Sequence, residues 1–132
     1  MRSPTRRSTQ PPASPRRGEV WTIFTGGPDD PHQPRPAVVV SENLRNTLTD
    51  SVTLVPAFSR GRLGPTRIPI TAGQGGMPHD SMLRCEELTT LHRSSLVRGP
   101  LGPPVDSLLL DAVVRGVRRS IGDAVIETRG RG

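Results

Sequence analysis

Arginine is the residue type in this chain best suited to chemistry on an anion. Its planar, permanently charged guanidinium meets phosphate or carboxylate oxygens with paired hydrogen bonds. Arg60, Arg62 and Arg67 fall within eight residues of one another, and they form either a rim that follows a row of phosphates or a solvated charged loop. Arg35 stands between two prolines and, on local sequence alone, is typical of a solvated loop.

The other reactive side chains form no clear catalytic group. His32, His79 and His92 lie in separate loop-like segments, as surface histidines do, although a joint site of His32 with Arg35 is conceivable. Cys85 has no evident base beside it and is expected to be a small core residue. No set of His, Cys, Asp and Glu has metal-ligand spacing, and GQGGMP lacks the Lys-Ser/Thr of a phosphate-cradling loop. We therefore expect neither a metal nor another cofactor.

Length and composition bound the class of protein. The 132 residues suffice for one domain with one modest core. No run of about 18 apolar residues predicts a membrane span, and no apolar stretch follows the basic N-terminus as in a secretory signal. The single cysteine excludes an internal disulfide. These features favour a reducing compartment, and we expect a cytoplasmic protein without membrane contact.

The basic charge belongs to the ends of the chain. The net charge is +6, and all 18 basic residues are arginine, with five in residues 1–17 and two after residue 126. Residues 18–126 hold 11 arginines and 11 acidic residues, so this part is formally neutral. The high isoelectric point therefore does not argue by itself for nucleic acid. We interpret residues 1–17 as a disordered basic Pro/Ser/Arg-rich tail, 18–126 as the folded domain and 127–132 as a flexible tail.

The elements that must position these side chains are short strands followed by one helix. Strands separated by turns rich in Gly and Pro are predicted for seven segments: GEVWTIF, PAVVVS, SVTLVPAF, TRIPIT, DSMLRCEEL, TTL and SLVRGPLG. ENLRNTLTD could hold a helical turn. About five to seven short strands at this spacing favour a small barrel, so the expected class is mainly β with a C-terminal helix.

The helix is predicted over VDSLLLDAVVRGVRRSI. Its apolar residues recur with helical spacing, at Val105, Leu108, Leu109, Ala112, Val113, Val117 and Ile121. Two prolines precede it, Asp106 falls in its first turn, arginines fall in its last turns, and Gly122 can end it.

Five motifs in order, followed by the helix, resemble the MazF/PemK family of toxin endoribonucleases. The motifs are RGEVW, RPAVVVS, VTLVPAFS, GQGGMPHDSMLRCEELTTL and LVRGPLG. The resemblance runs from Arg17 to about Asp123. It implies an SH3-like barrel, usually homodimeric, that cuts single-stranded RNA at short sequences without a metal. It also implies a cognate antitoxin protein that occupies the RNA groove.

The resemblance also implies roles for particular residues. The family's catalytic arginine falls on Arg35 and its hydroxyl residue on Ser59, while Asp29 is the nearest match to a loop glutamate. The chain departs from the pattern at Phe58, where Thr is common, and at Glu87, where Gln is common. The expected substrate-binding residues are Asp29, Arg60, Arg62, Arg67 and Glu87.

Three functions remain open at this point. The first is cleavage of RNA by its own 2′-hydroxyl, with Arg35 stabilising the charge on phosphorus and Ser59 orienting the reacting groups. The second is a non-catalytic barrel that binds DNA gyrase or, with its antitoxin, operator DNA. The third is an inactive homologue that sequesters an antitoxin. The departures at Phe58 and Glu87 keep the second open, and the formally neutral charge of residues 18–126 is compatible with the third.

Overall fold

The computed structural model describes residues 14–25 and 33–123. The predictions for residues 1–13, for Asp29 and His32, and for the tail after residue 123 lie outside these ranges. No helix in the described part of the chain has the length and hydropathy needed to cross a membrane.

Seven antiparallel strands and a C-terminal helix make up the fold, which confirms the expected class. The strands are β1 (Val20–Ile23), β2 (Arg35–Val39), β3 (Ser51–Phe58), β4 (Arg67–Ile70), β5 (Ser81–Arg84), β6 (Thr89–His92) and β7 (Leu96–Arg98). The helices are α1 (Asn43–Leu48) and α2 (Ser107–Ser120). The sheet runs in the order β4-β5-β3-β2-β1-β7, with β6 also paired to β3. The two end strands, β4 and β7, do not pair with each other among the described residues, so the sheet is not closed.

Strand β3 is the centre of the sheet. One edge pairs with β2, with Val38 opposite Val55. The other edge is shared, because residues 51–54 pair with β6 and residues 57 and 58 pair with β5. A proline inside a strand usually indicates an edge or a bulge, whereas β3 is central in the sheet. The proline lies in the interval between the residues paired with β6 and those paired with β5, where its missing N–H interrupts neither ladder.

Strand β2 is buried on both faces, as its continuous apolar run predicts. Val38 belongs to a cluster that packs under α2, together with Val55 and Leu83. Ala37 and Val39 face a second, smaller cluster on the other side of the sheet. Burial on both faces fixes the register of β2, because a slip of one residue would exchange the two faces.

Helix α2 covers the first cluster. The Asp106 carboxylate accepts a hydrogen bond from the Leu109 N–H at 2.9 Å and caps the helix. Leu109 and Val113 are buried as predicted, whereas Leu108 and Ile121 are exposed. The predicted apolar face was therefore too wide, because Leu108 and Ile121 lie outside the buried face of the helix.

A buried asparagine on α1 ties the described N-terminal residues to the domain. The Asn46 side-chain amide donates to the carbonyl oxygens of Pro15 at 3.1 Å and Ser41 at 3.0 Å. The Arg17 N–H donates to the Asn43 side chain at 2.7 Å. The predicted domain boundary at Gly18 thus lies four residues inside this described segment, which begins at residue 14.

Candidate functional site

The register of the sheet brings three side chains from three strands to one place. Ala37 lies opposite Pro56, so continuing this register by two residues puts Arg35 opposite Phe58, at the end of β3. On the other side of β3, Phe58 lies opposite Met82, and Arg84 is two residues further along β5. Side chains at such direct and diagonal positions share one face of a sheet and reach each other when they are long.

The Phe58 ring contacts both guanidinium groups. The Cζ atom of Arg35 lies 4.1 Å from the ring centroid, and that of Arg84 lies 3.9 Å from it. These are cation–π distances, worth about 0.5–2 kcal/mol each depending on burial. The aromatic ring that stands where the family commonly has Thr therefore holds two cations at one point of the sheet.

Arg84 is held by a second contact. Its Nη2 donates to the carbonyl oxygen of Arg60 at 2.7 Å. Its Nε is buried and has no hydrogen-bond partner among the residues that the structure describes. Arg35 is the more deeply placed of the two cations, since only 7% of its surface is exposed. Both charges are thus fixed by the fold rather than free in solvent.

These side chains line a cleft of about 380 Å³. Besides two prolines and an alanine, its walls are Arg35, Phe58, Ser59, Arg60, His79 and Arg84. No carboxylate is among the described residues of the lining. The cleft therefore combines three permanent positive charges with a hydroxyl and an imidazole, which is the composition expected of a phosphate site.

The three arginines of the predicted rim, Arg60, Arg62 and Arg67, lie in different surroundings in the structure. Arg60 lines the cleft beside Ser59, whereas Arg62 is exposed in the following loop and is not part of the lining. Arg67 forms an ion pair with Glu86, with Nη2 2.7 Å from Oε2 and Nε donating to the same oxygen at 2.8 Å. Burial of the Glu86 carboxyl opposes its ionisation, but the bonds from Arg67 and Thr66 hold the pKa of Glu86 below its ordinary value.

Glu87 lies beside a different depression. A second cleft of about 300 Å³ is bordered by Thr25, Phe58, Glu86, Glu87 and Thr89, among others. Phe58 lines both clefts, so its ring marks their common border. Glu87 is exposed there and is absent from the lining of the arginine cleft. Its carboxylate is thus near the candidate site without facing its main cations.

Sequence analysis missed two residues of the cleft, His79 and Arg84. His79 is exposed, and its Nδ1 contacts the Ser81 Oγ at 3.0 Å and the Asp80 carbonyl oxygen at 3.2 Å. Arg84 could have been found from the pairing of β5 with the end of β3, but nothing in the sequence shows that pairing. His79 has no signal beyond its place two residues before β5.

Cys85 follows Arg84 but belongs to the core. Its side chain is fully buried, and its Sγ donates to the Val113 carbonyl oxygen at 3.5 Å. Burial raises the pKa of the Cys85 thiol to about 12, with a further contribution from the charge of Glu86. This confirms the predicted core position and keeps the thiol in its unreactive protonated form. In the described ranges no three His, Cys, Asp or Glu side chains group as metal ligands would.

Several solved bacterial structures have a similar fold. A mycobacterial endoribonuclease has a TM-score of 0.67 and 22% identity, covering 83% of this chain and 92% of its own. A mycobacterial endoribonuclease in complex with its cognate antitoxin has a TM-score of 0.68 and 23% identity, and the match covers 83% of this chain and 96% of that one. A MazE–MazF complex from Deinococcus radiodurans has a TM-score of 0.65 and 24% identity, and the match covers 83% of this chain and 96% of that one. At these identities the likenesses establish the fold.

Comparison with curated proteins gives no match. The sequence itself, however, matches a family model over residues 16–121, which is most of the chain and all seven strands. That model describes the PemK-like, MazF-like toxins of type II toxin–antitoxin systems. Because this match covers far more than half of the chain, this chain belongs to the PemK-like, MazF-like toxin family.

Proposed function

We propose that the protein is a sequence-specific endoribonuclease that cuts single-stranded RNA without a metal ion. The observation that carries the proposal is the cleft in which Arg35 and Arg84 contact Phe58 while Ser59 and Arg60 complete the wall. Such a concentration of fixed positive charge at the end of a central strand suits the phosphodiester of a nucleic acid.

RNA supplies its own nucleophile, since the 2′-hydroxyl lies next to the phosphorus that it attacks. The protein must align this attack and stabilise the charge that develops on the phosphorane oxygens. In our proposal Arg35 does the second task, because its guanidinium is buried, permanently charged and able to bind two oxygens. A fixed charge of this kind lowers such barriers by about 3–4 kcal/mol.

Ser59 and Arg84 have complementary roles. Ser59 lies directly after β3, exposed at the cleft wall, where its hydroxyl can bind a non-bridging oxygen or orient the 2′-hydroxyl. Arg84 adds a second cation to the same phosphate. Neither arginine can act as the proton acceptor, because a guanidinium keeps its proton at every ordinary pH.

The remaining predicted contacts follow the RNA away from the scissile phosphate. Arg60 and Arg62 extend from Ser59 and are proposed to bind flanking phosphates. Arg67 is neutralised by Glu86, which favours a supporting role at this rim. Glu87 borders the second cleft, beyond Phe58, where a carboxylate can accept from the amino group of a base. Asp29 remains a proposed contact from sequence alone.

The partners of the toxin are part of the proposal. A cognate antitoxin is proposed to cover the RNA cleft, supported by the mycobacterial and Deinococcus radiodurans complexes that have this fold. We also propose a homodimer, operator DNA as a ligand of the toxin–antitoxin complex, and action in the cytoplasm, where mRNA is available.

The test is cleavage of long single-stranded transcripts by purified protein in EDTA, with the new 5′ ends mapped. Wild type is expected to cut at a short recurrent sequence and Arg35→Ala to lose about 10² to 10³-fold in rate. Arg115→Ala is the matched control, because Arg115 is exposed on α2 outside the cleft lining and the change in charge is the same. RNA with a 2′-deoxy nucleotide at the cut site should stay intact.

Two results would contradict the proposal. One is wild-type protein that leaves all transcripts intact, and the other is Arg35→Ala protein that cuts as fast as wild type. Intact RNA together with inhibition of gyrase supercoiling by the same protein would instead support the non-catalytic alternative.

A further inference from the structure

The arginine cleft contains one side chain that can exchange a proton near neutral pH. Attack by a 2′-hydroxyl requires an acceptor for its proton, and the three arginines of the lining cannot serve. Among the described residues that line the cleft, only His79 carries a group of the right kind. This position on the wall, shared with Arg35 and Ser59, gives the histidine a place in the chemistry that its surroundings in the sequence do not suggest.

The contacts of His79 favour the tautomer that carries its proton on Nδ1. The carbonyl oxygen of Asp80, 3.2 Å from Nδ1, can only accept a hydrogen bond. The Ser81 hydroxyl lies 3.0 Å from Nδ1 and can donate its own proton to the His79 carbonyl oxygen at 3.4 Å. All three contacts are satisfied together when the proton sits on Nδ1. Nε2 then carries the lone pair of the neutral ring.

We infer that His79 is the general base of the reaction, an inference that rests on the proposed function. In the step, the 2′-O–H bond breaks and its proton passes to Nε2 of His79 while the 2′-oxygen forms a bond to phosphorus. The P–O5′ bond then breaks, and the departing 5′-oxygen takes a proton from water. The products are a 2′,3′-cyclic phosphate and a 5′-hydroxyl, and no electron donor or acceptor is needed.

Charged side chains from several elements lie around the cleft that His79 lines. Arg35, Arg60 and Arg84 contribute positive charge from β2, from the loop after β3 and from β5. Asp80 is the neighbouring carboxylate, and its Oδ1 is engaged by the Ala72 N–H at 2.8 Å. The cleft is thus cationic, and a bound phosphate offsets the positive charge that the imidazole gains when it takes the proton.

The experiment compares single-turnover cleavage by wild type and by His79→Gln from pH 5 to pH 9. The wild-type rate should rise with pH through the range in which imidazoles lose their proton, about pH 5–8. His79→Gln should be about 10² to 10⁴-fold slower and should lose this rise. Binding of a 2′-O-methyl RNA of the cut sequence should change less than about threefold, because a neutral imidazole contributes little to phosphate binding.

His92 offers a matched control. It is also exposed, and its Nδ1 contacts the Ser94 Oγ at 2.9 Å, much as His79 contacts Ser81. It ends β6 and is not part of the cleft lining. His92→Gln should therefore retain the wild-type rate and its pH dependence.

The outcomes separate this inference from the proposed function. If His79→Gln keeps the wild-type rate, or is slower but still shows the rise with pH, the proton is taken elsewhere and the role of His79 is overturned while RNA cleavage stands. If the wild type cuts no RNA while Arg35→Ala binds it no worse, both the function and the role of His79 are overturned. The inference is established if His79→Gln loses both the cleavage rate and its rise with pH while His92→Gln keeps both.

Discussion

Alkaline pH should destabilise this protein through a single thiol. The chain contains neither lysine nor tyrosine, so Cys85 is its only side chain that ordinarily titrates between about pH 8.5 and 11. Burial raises the pKa of the folded thiol from 9.0 to about 12. A group whose pKa is raised by folding stabilises fully below its unfolded pKa, and this stability is lost as the pH rises towards the folded value.

The expected magnitude follows from the two pKa values. At pH 10 about nine-tenths of the unfolded thiol is ionised and almost none of the folded thiol, so the free energy of unfolding should be lower than at pH 7 by about 1.4 kcal/mol. Between pH 9 and 12 each further pH unit should lower the free energy of unfolding by about 1.0–1.4 kcal/mol. For a domain of this size such a loss is a measurable fraction of the total stability.

The assay is urea unfolding at a series of pH values, with a phosphine reductant present to keep the thiol reduced. The free energy of unfolding of wild type should fall above pH 9. That of Cys85→Ala should be lower at neutral pH, because of the cavity left by Sγ, and should then stay constant up to pH 10. Equal slopes for the two proteins would refute the reasoning, since the alkaline loss would then come from another source. The m-value must remain constant for the comparison to report stability.

Three further predictions concern packing and the site. Gly116→Ala on α2 should lower the free energy of unfolding, measured in urea, by about 1–3 kcal/mol, because its new Cβ would lie 2.6 Å from the Cys85 sulfur. The control Arg115→Ala, on the exposed side of the helix, should change the same free energy by less than about 0.5 kcal/mol. Asn46→Ala should cost about 2 kcal/mol in the same assay, since it leaves buried backbone carbonyls unpaired. Phe58→Leu should slow RNA cleavage about tenfold by releasing both guanidiniums, whereas Phe58→Trp should retain most of the rate; equal rates for Leu and wild type would exclude this positioning role.

Much of the fold follows from local patterns in the sequence. The continuous apolar run of β2 and the helical spacing before Gly122 each predicted an element that the structure contains. The exposed Leu108 shows the limit of such reasoning, because periodicity identifies an apolar face but not which residues at the margin of that face are covered. Pro56 shows a second limit, since a central strand can hold a proline where its pairing changes from one neighbour to another.

The candidate site was less accessible from sequence, because it is made by pairing between distant strands. Arg35 and Ser59 were identified through the order of motifs, and the register of β2 with β3 explains why they meet. Arg84 joins them only because β5 pairs with the last residues of β3, and the apolar pattern of β5 does not specify its neighbour. Phe58 appeared in the sequence as a departure from the family and is, in the structure, the contact shared by both cations.

The position of β3 between three partners has a consequence for how the protein fluctuates. A strand with neighbours on both edges does not open alone, so the amide hydrogens in the middle of β3 should exchange with solvent only when the whole domain opens. Phe58 ends this strand and Arg35 begins the strand beside it. The floor of the arginine cleft thus adjoins the last part of the molecule to open, and a destabilised variant should contain fewer folded molecules, each with its cleft intact.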